Sequence, residues 1–216
     1  DEMALGFDDV LLVPQYSDIR SRREIHLSDT KDLDRLPVMS SPMDTVTSYT
    51  MAIELFKRGA VPVWPRNVDG PGFRSLLLMQ PTFSSSRVLG VAVDSSTDKN
   101  ALDHIRYLIG NRVQIICLDI AHGHTEITKK WLGAVLPLRK ELNSEVRFMV
   151  GSVCTLDGVA DLVDWGADII RFGVGNGSIC STRLNTGHGF PQFSGLCDAA
   201  EFLKVYNENS SKEDQV

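Results

Sequence analysis

The stretch Gly173-Val174-Gly175-Asn176-Gly177-Ser178-Ile179-Cys180-Ser181-Thr182-Arg183 follows directly on Ala167-Asp168-Ile169-Ile170-Arg171-Phe172. The earlier segment is a mostly apolar run that reads as a buried strand. The glycines after it alternate with other residues, so backbone N–H groups could converge on an anion, or carbonyls on a cation, with no Cβ in the way. Cys180 stands just past the last glycine, beside Ser181 and Thr182. A strand end, a small-residue loop and a thiol flanked by hydroxyls make a plausible covalent site. The competing reading is a tight glycine turn with a buried cysteine, since free Cys usually behaves as a small hydrophobe.

Upstream, apolar runs alternate with helical patterns. Short strands are predicted at Pro37–Ser40, Ala60–Trp64, Arg87–Val93, Val113–Asp119, Val146–Val150 and Asp168–Phe172. Helices are predicted between and after them, at Tyr49–Arg58, Phe73–Gln80, Lys99–Ile109, Thr125–Leu142, Leu156–Trp165 and Phe193–Tyr206. Pro62 is awkward in a central strand because it lacks an N–H. The alternation implies a parallel sheet of right-handed βαβ units. Asp94, Asp119, Gly151 and Gly173 all fall at strand C-termini. Both a (β/α) barrel and a doubly wound sheet place their chemistry there, so periodicity leaves the two open.

The N-terminal residues 1–36 read as an arm, with a short strand at Val10–Val13 covering one end of a barrel and a surface hairpin or loop over Ser17–Asp34. Residues 1–206 read as one domain, and 207–216 as a polar tail expected to be disordered.

Bulk properties narrow the function. The net charge of −6 gives no electrostatic footprint for nucleic acid or an anionic membrane, and no apolar run is long enough for a membrane span. Cys117, Cys154, Cys180 and Cys197 have no CxxC spacing and read as reduced thiols, which points to a cytoplasmic protein. Apart from Cys180 they are expected to be structural. His122 and His124 read as solvated loop residues, and Trp64, Trp131 and Trp165 as packing residues.

The glycine–cysteine loop, with Thr186-Gly187-His188-Gly189-Phe190-Pro191-Gln192 after it, resembles the catalytic loop of the IMP dehydrogenase / GMP reductase family. Phe7-Asp8-Asp9-Val10-Leu11-Leu12-Val13-Pro14 is similar to that family's N-terminal signature, and Ser40-Ser41-Pro42-Met43-Asp44-Thr45-Val46-Thr47 to its first barrel strand and loop. The resemblance runs from about Phe7 to Ala200. It implies a TIM (β/α)8-type barrel, apparently incomplete, since only six β/α units are read here. An open six-unit sheet would leave unpaired edges, so partner strands or a homo-oligomer, tetramer-like, are expected.

For chemistry, the resemblance implies a purine mononucleotide, GMP or IMP, attacked at C2 by the Cys180 thiolate with help from the Thr182 hydroxyl. Ser41, Met43, Ser152, Arg171, Gly177 and Ser178 would bind the substrate. Asp119 and Ala121 would bind a nicotinamide cofactor, NADPH or alternatively NAD. Carbonyls of Gly175, Gly177 and Cys180 would hold a monovalent cation such as K+.

This sequence departs from the family pattern at Ser152, where asparagine is usual, at Asn176 between the glycines, and at Trp64-Pro65-Arg66-Asn67, which replaces a segment that commonly contains histidine. The short link between Gln80 and Arg87 leaves no room for the regulatory insertion of many IMP dehydrogenases, and Thr186-Gly187 resembles the reductase version. Both features favour NADPH-dependent reduction of GMP to IMP. The alternatives are oxidation of IMP to XMP with NAD, and a catalytically incomplete nucleotide-binding paralogue or subunit completed by a partner chain.

Overall fold

A computed structural model describes residues 3–25, 36–66, 70–79, 88–142 and 144–210. In chain order its elements are α1 (Tyr49–Lys57), β1 (Val63–Trp64), α2 (Pro71–Met79), β2 (Gly90–Val93), α3 (Lys99–Gly110), β3 (Ile115–Leu118), α4 (Glu126–Glu141), β4 (Arg147–Val153), α5 (Leu156–Asp164), β5 (Ile169–Phe172), α6 (Thr182–Thr186) and α7 (Gln192–Asn209).

All adjacent strands pair in parallel, in the order β1-β2-β3-β4-β5. This order decides between the two architectures left open by periodicity. A doubly wound sheet reverses its strand order at a switch point, whereas a barrel adds each strand beside the last in one direction. The chain winds in one direction throughout and forms an incomplete TIM-type barrel.

The expected first strand is reduced to a single parallel bridge, Met39 to Val61. Pro62 supplies the reason, since it has no N–H to extend the ladder. Beyond it, the Val63 N–H bonds to the Ser40 side-chain Oγ (3.0 Å) rather than to a backbone carbonyl.

Side-chain caps set the starts of α1, α3, α4 and α5. Ser48, Asp98, Thr125 and Thr155 each accept a backbone N–H of the first turn, which satisfies an otherwise unpaired donor. These caps turn the chain into helices that pack back on the sheet.

Strand alternation divides the apolar side chains between two faces. Ile116, Leu118, Phe148 and Val150 join Leu76, Leu108, Trp131 and Leu162 in the core between sheet and helices. Val63, Ala92, Ile115, Cys117 and Met149 form a separate cluster on the other face. Trp64 and Trp131 are buried, as expected of packing residues.

Several expectations need correction. Val10–Val13 forms no strand, and Leu11 and Leu12 are 96% and 97% exposed. The N-terminal arm is held instead just before this run. Leu5 and Ser194 exchange two hydrogen bonds (2.8 and 3.1 Å), and Phe7 meets Phe193 edge-on at 5.8 Å. Helix α7 continues through Asn209, so the first tail residues are helical. Helix α6 was not anticipated; it occupies the link between β5 and α7. The predicted boundary residues Gln80 and Arg87, part of the 17–34 segment and residues 211–216 lie outside the described residues.

Candidate functional site

The barrel winding brings the C-termini of β2 to β5 to one rim. Most of the expected site residues form two groups there, and Ser41 and Met43 lie apart in the loop after the Met39 bridge.

The first group is the loop after β5. Cys180 is exposed, and its Sγ is hydrogen-bonded to the Thr182 hydroxyl at 3.1 Å. The Thr182 hydroxyl, the Thr182 backbone N–H and the Arg183 charge together hold the thiol below the ordinary cysteine range. Each favours the thiolate by donating to it or by opposing its charge. The reading of Cys180 as a buried structural thiol is therefore excluded. Cys117 shows the opposite environment: it is fully buried, and burial pushes its thiol up to about 11.

The loop's glycines are not equivalent. Gly175 has φ +64°, and an added Cβ would lie 2.7 Å from the Arg183 side chain. Gly177 has ordinary φ and nothing closer to an added Cβ than Cys180 Cβ at 3.8 Å. The fold itself thus requires Gly175 but leaves open space in front of Gly177. The Gly177 carbonyl accepts the Cys180 N–H at 3.0 Å, which curls the chain toward the thiol and uses one of that carbonyl's two lone pairs. Ser178 is exposed beside it.

Asn176, a departure from the family pattern, has a partner in this chain. Its side-chain amide donates to Gln192 Oε1 (2.9 Å), and Gln192 donates to the Phe172 carbonyl (3.3 Å). The start of α7 is thereby stapled to the end of β5.

The second group sits at the ends of β3 and β5. Arg171 Nη1 lies 3.8 Å from Asp119 Oδ1 and 3.7 Å from Cys117 Sγ. Asp119 Oδ2 meets Arg66 Nε at 3.0 Å. Ser152, on β4, accepts the Gly123 N–H through its carbonyl (2.8 Å), and Ala121 is exposed.

Ser41 and Met43 lie in the loop after the Met39 bridge. The buried Thr47 shapes that loop: its hydroxyl bonds to the Ser41 carbonyl (2.7 Å) and to Ser40 Oγ (2.8 Å). Met43 is 46% exposed, so it is available to a ligand rather than packed in the core.

His124 is not a free loop residue. Its Nε2 is 2.7 Å from Asp161 Oδ2, and its ring packs against Trp165. His122 is exposed, as expected. Cys197 is exposed rather than structural.

Sequence reading did not single out Arg66, Arg183 or Gln192 as site residues. Arg66 stands where the sequence departs from the pattern, which was the available signal. Arg183 and Gln192 act on the backbone of other segments, and no local pattern reports that.

No helix among the described residues is long and apolar enough to cross a membrane.

Comparison with known proteins agrees with this architecture. The chain is 29% identical over 207 residues to the GMP reductase of Shewanella halifaxensis, 31% identical over 209 residues to GMP reductase 1 of Rattus norvegicus, and 30% identical over 209 residues to GMP reductase 1 of Homo sapiens. Each alignment takes in 93% of this chain but 58% of the relative. The family model described as IMP dehydrogenase / GMP reductase domain matches residues 4–210, and the chain belongs to that family.

Proposed function

We propose that this protein is a purine-nucleotide oxidoreductase of the GMP reductase type, converting GMP to IMP with release of ammonia. The observation that carries the reading is the exposed Cys180 thiol, hydrogen-bonded to Thr182 and biased toward the thiolate, beside a glycine loop open at Gly177. The names of the relatives favour the reductase over the dehydrogenase.

In this reading the thiolate adds to C2 of GMP. The 2-amino group leaves as ammonia after taking up one proton, and a thioimidate remains. NADPH, when bound, supplies the hydride. Cys180 would then leave C2 as the thiolate, its bond to carbon replaced by C–H, and IMP would be released. Thr182, hydrogen-bonded to the thiol, would pass a proton from its hydroxyl toward the leaving amine. The Gly177 and Ser178 backbone, with the Ser178 hydroxyl, offers donors to the nucleotide phosphate. Ser41, Met43 and Ser152 would line the base.

Asp119 suits the cofactor. One oxygen is held by Arg66, while the other makes a long contact to Arg171 and keeps acceptor capacity for a ribose hydroxyl. Ala121 follows it at the same rim. The carbonyls of Gly175, Gly177 and Cys180 suit K+, which would stiffen the loop carrying the thiol.

Assembly is proposed as a tetramer-like homo-oligomer or a complex with a complementing chain. Among the described residues β5 ends the sheet, and an open strand edge favours pairing.

The test is spectrophotometric. NADPH oxidation with GMP that disappears in Cys180→Ala supports the reductase, while NAD reduction with IMP instead assigns the dehydrogenase. Silence in both, with GMP binding retained, favours the non-catalytic paralogue. Ser152 argues for that second reading, because a hydroxyl reaches less far than the usual carboxamide.

A further inference from the structure

We infer that Arg183 is a positioning residue, a guanidinium bridge that joins the glycine loop to the 187–191 segment and thereby holds Cys180 in place. Arg183 Nε donates to the Val174 carbonyl at 3.0 Å, and its Nη2 donates to the Phe190 carbonyl at 2.8 Å. One planar fork thus ties two backbone segments that lie on either side of α6. Lysine has a single ammonium and no such fixed fork.

The surroundings of the bridge are built for it. An added Cβ on Gly175 would lie 2.7 Å from Arg183 Cγ, and one on Gly189 would lie 2.6 Å from Arg183 Nε. The side chain therefore lies in a slot whose two walls carry no side chain. Gly187, at the end of α6, returns its N–H to the Arg183 carbonyl (3.0 Å), so the main chain of the same residue closes the turn. Arg183 also bounds a cavity of about 180 Å³ with Gly187, His188, Gly189, Phe190 and Pro191.

The position of Arg183 has a chemical consequence. Cys180 and Thr182 lie within the segment that the bridge constrains, and the cationic group that fixes the loop also favours the Cys180 thiolate. Loss of the side chain would remove both effects, whereas a charged but unforked replacement would separate them.

The inference rests on Cys180 being the nucleophile, but its test does not need turnover. Full-length wild type, Arg183→Gln and Arg183→Lys are compared in two measurements: the pH profile of iodoacetamide alkylation at Cys180, followed by peptide mass, and amide hydrogen exchange over residues 174–190. Arg183→Gln should shift the alkylation profile to higher pH and accelerate exchange in both tied segments by about 10-fold or more. Arg183→Lys should bring the alkylation profile back toward wild type while exchange stays fast.

Wild-type exchange in Arg183→Lys would overturn the bridge, and an unchanged alkylation profile in Arg183→Gln would overturn its effect on the thiol. Should Arg183→Gln fail to fold, the lysine variant decides by itself: fast exchange confined to 174–190 supports the bridge, and wild-type exchange refutes it. A wild-type protein that shows neither GMP reduction nor IMP oxidation would count against the proposed activity and leave both of these measurements readable.

Discussion

Arg171 on β5 reaches across β4 to Asp119 at the end of β3, and the strand between them presents a glycine at that level. Gly151 pairs with Arg171 in register, and an added Cβ on Gly151 would collide with the Arg171 carbonyl and lie 2.8 Å from Arg171 Cβ. Residues two strands apart can meet at 3.8 Å because the glycine of the intervening strand projects no side chain between them.

Substitution at Gly151 should therefore damage fold and site together. Gly151 has φ +138°, a region that L side chains rarely adopt. Gly151→Ala is expected to cost about 2–3 kcal/mol or more, read as a lower urea midpoint at unchanged slope. An unchanged midpoint would show that Arg171 and its strand can shift without penalty.

Gly177→Ala is the informative contrast. The fold leaves room for a methyl there, so the free energy of urea unfolding should stay within about 0.5 kcal/mol of wild type. The same methyl would stand in the space reserved for the nucleotide phosphate in the proposed function. GMP affinity should fall about 10-fold or more, measured by calorimetry. Equal affinity in wild type and variant would remove Gly177 from the binding surface.

The fold was legible in the sequence because its signals are local. Apolar runs, Ser/Thr/Asp caps and glycine stops repeat with the rhythm of βα units, and those signals marked strand cores and helix starts to within a few residues. Strand order is a long-range property, and periodicity did not contain it. Pro62 carried a readable warning, since a residue without an N–H shortened the first pairing to one bridge. The thiol and its hydroxyl were legible because Cys180 and Thr182 are near neighbours in the chain. Arg66 with Asp119, and Asn176 with Gln192, were not, because each pair is made by tertiary packing between distant segments. The exposed Leu11 and Leu12 show the limit from the other side: an apolar run marks a segment that can be buried, without naming what covers it.

Thr47→Val tests the loop that carries Ser41 and Met43. Thr47 is buried, and its hydroxyl joins Ser40 and Ser41, while Ser40 in turn receives the Val63 N–H. Valine keeps the shape but removes the donor. The expected loss is about 1–2 kcal/mol in urea unfolding and, under the proposed function, a raised KM for the nucleotide as Ser41 and Met43 lose their fixed placement. Full stability with unchanged KM would mean that water replaces the hydroxyl and that the loop is held by packing alone.

The last prediction concerns pH and the two extreme thiols. A lowered thiol pKa places the thiolate at lower pH, so alkylation of Cys180 should rise through a midpoint below that of an unperturbed cysteine and level off above it. Cys117, buried and pushed up to about 11, should stay unmodified in the native protein throughout the same range, although Arg171 lies beside it. Thr182→Val removes the hydroxyl bonded to the thiol, which is the largest influence on Cys180, and should move its midpoint upward. Under the proposed function turnover should fall as well, by about 10²-fold, because that reading asks the same hydroxyl to move a proton. Peptide mapping after short iodoacetamide pulses at a series of pH values separates the two cysteines from the exposed Cys197. Coincident profiles for Cys180 in wild type and Thr182→Val would show that the hydroxyl contact does not activate the thiol, and the proton-transfer role of Thr182 would then rest on turnover alone.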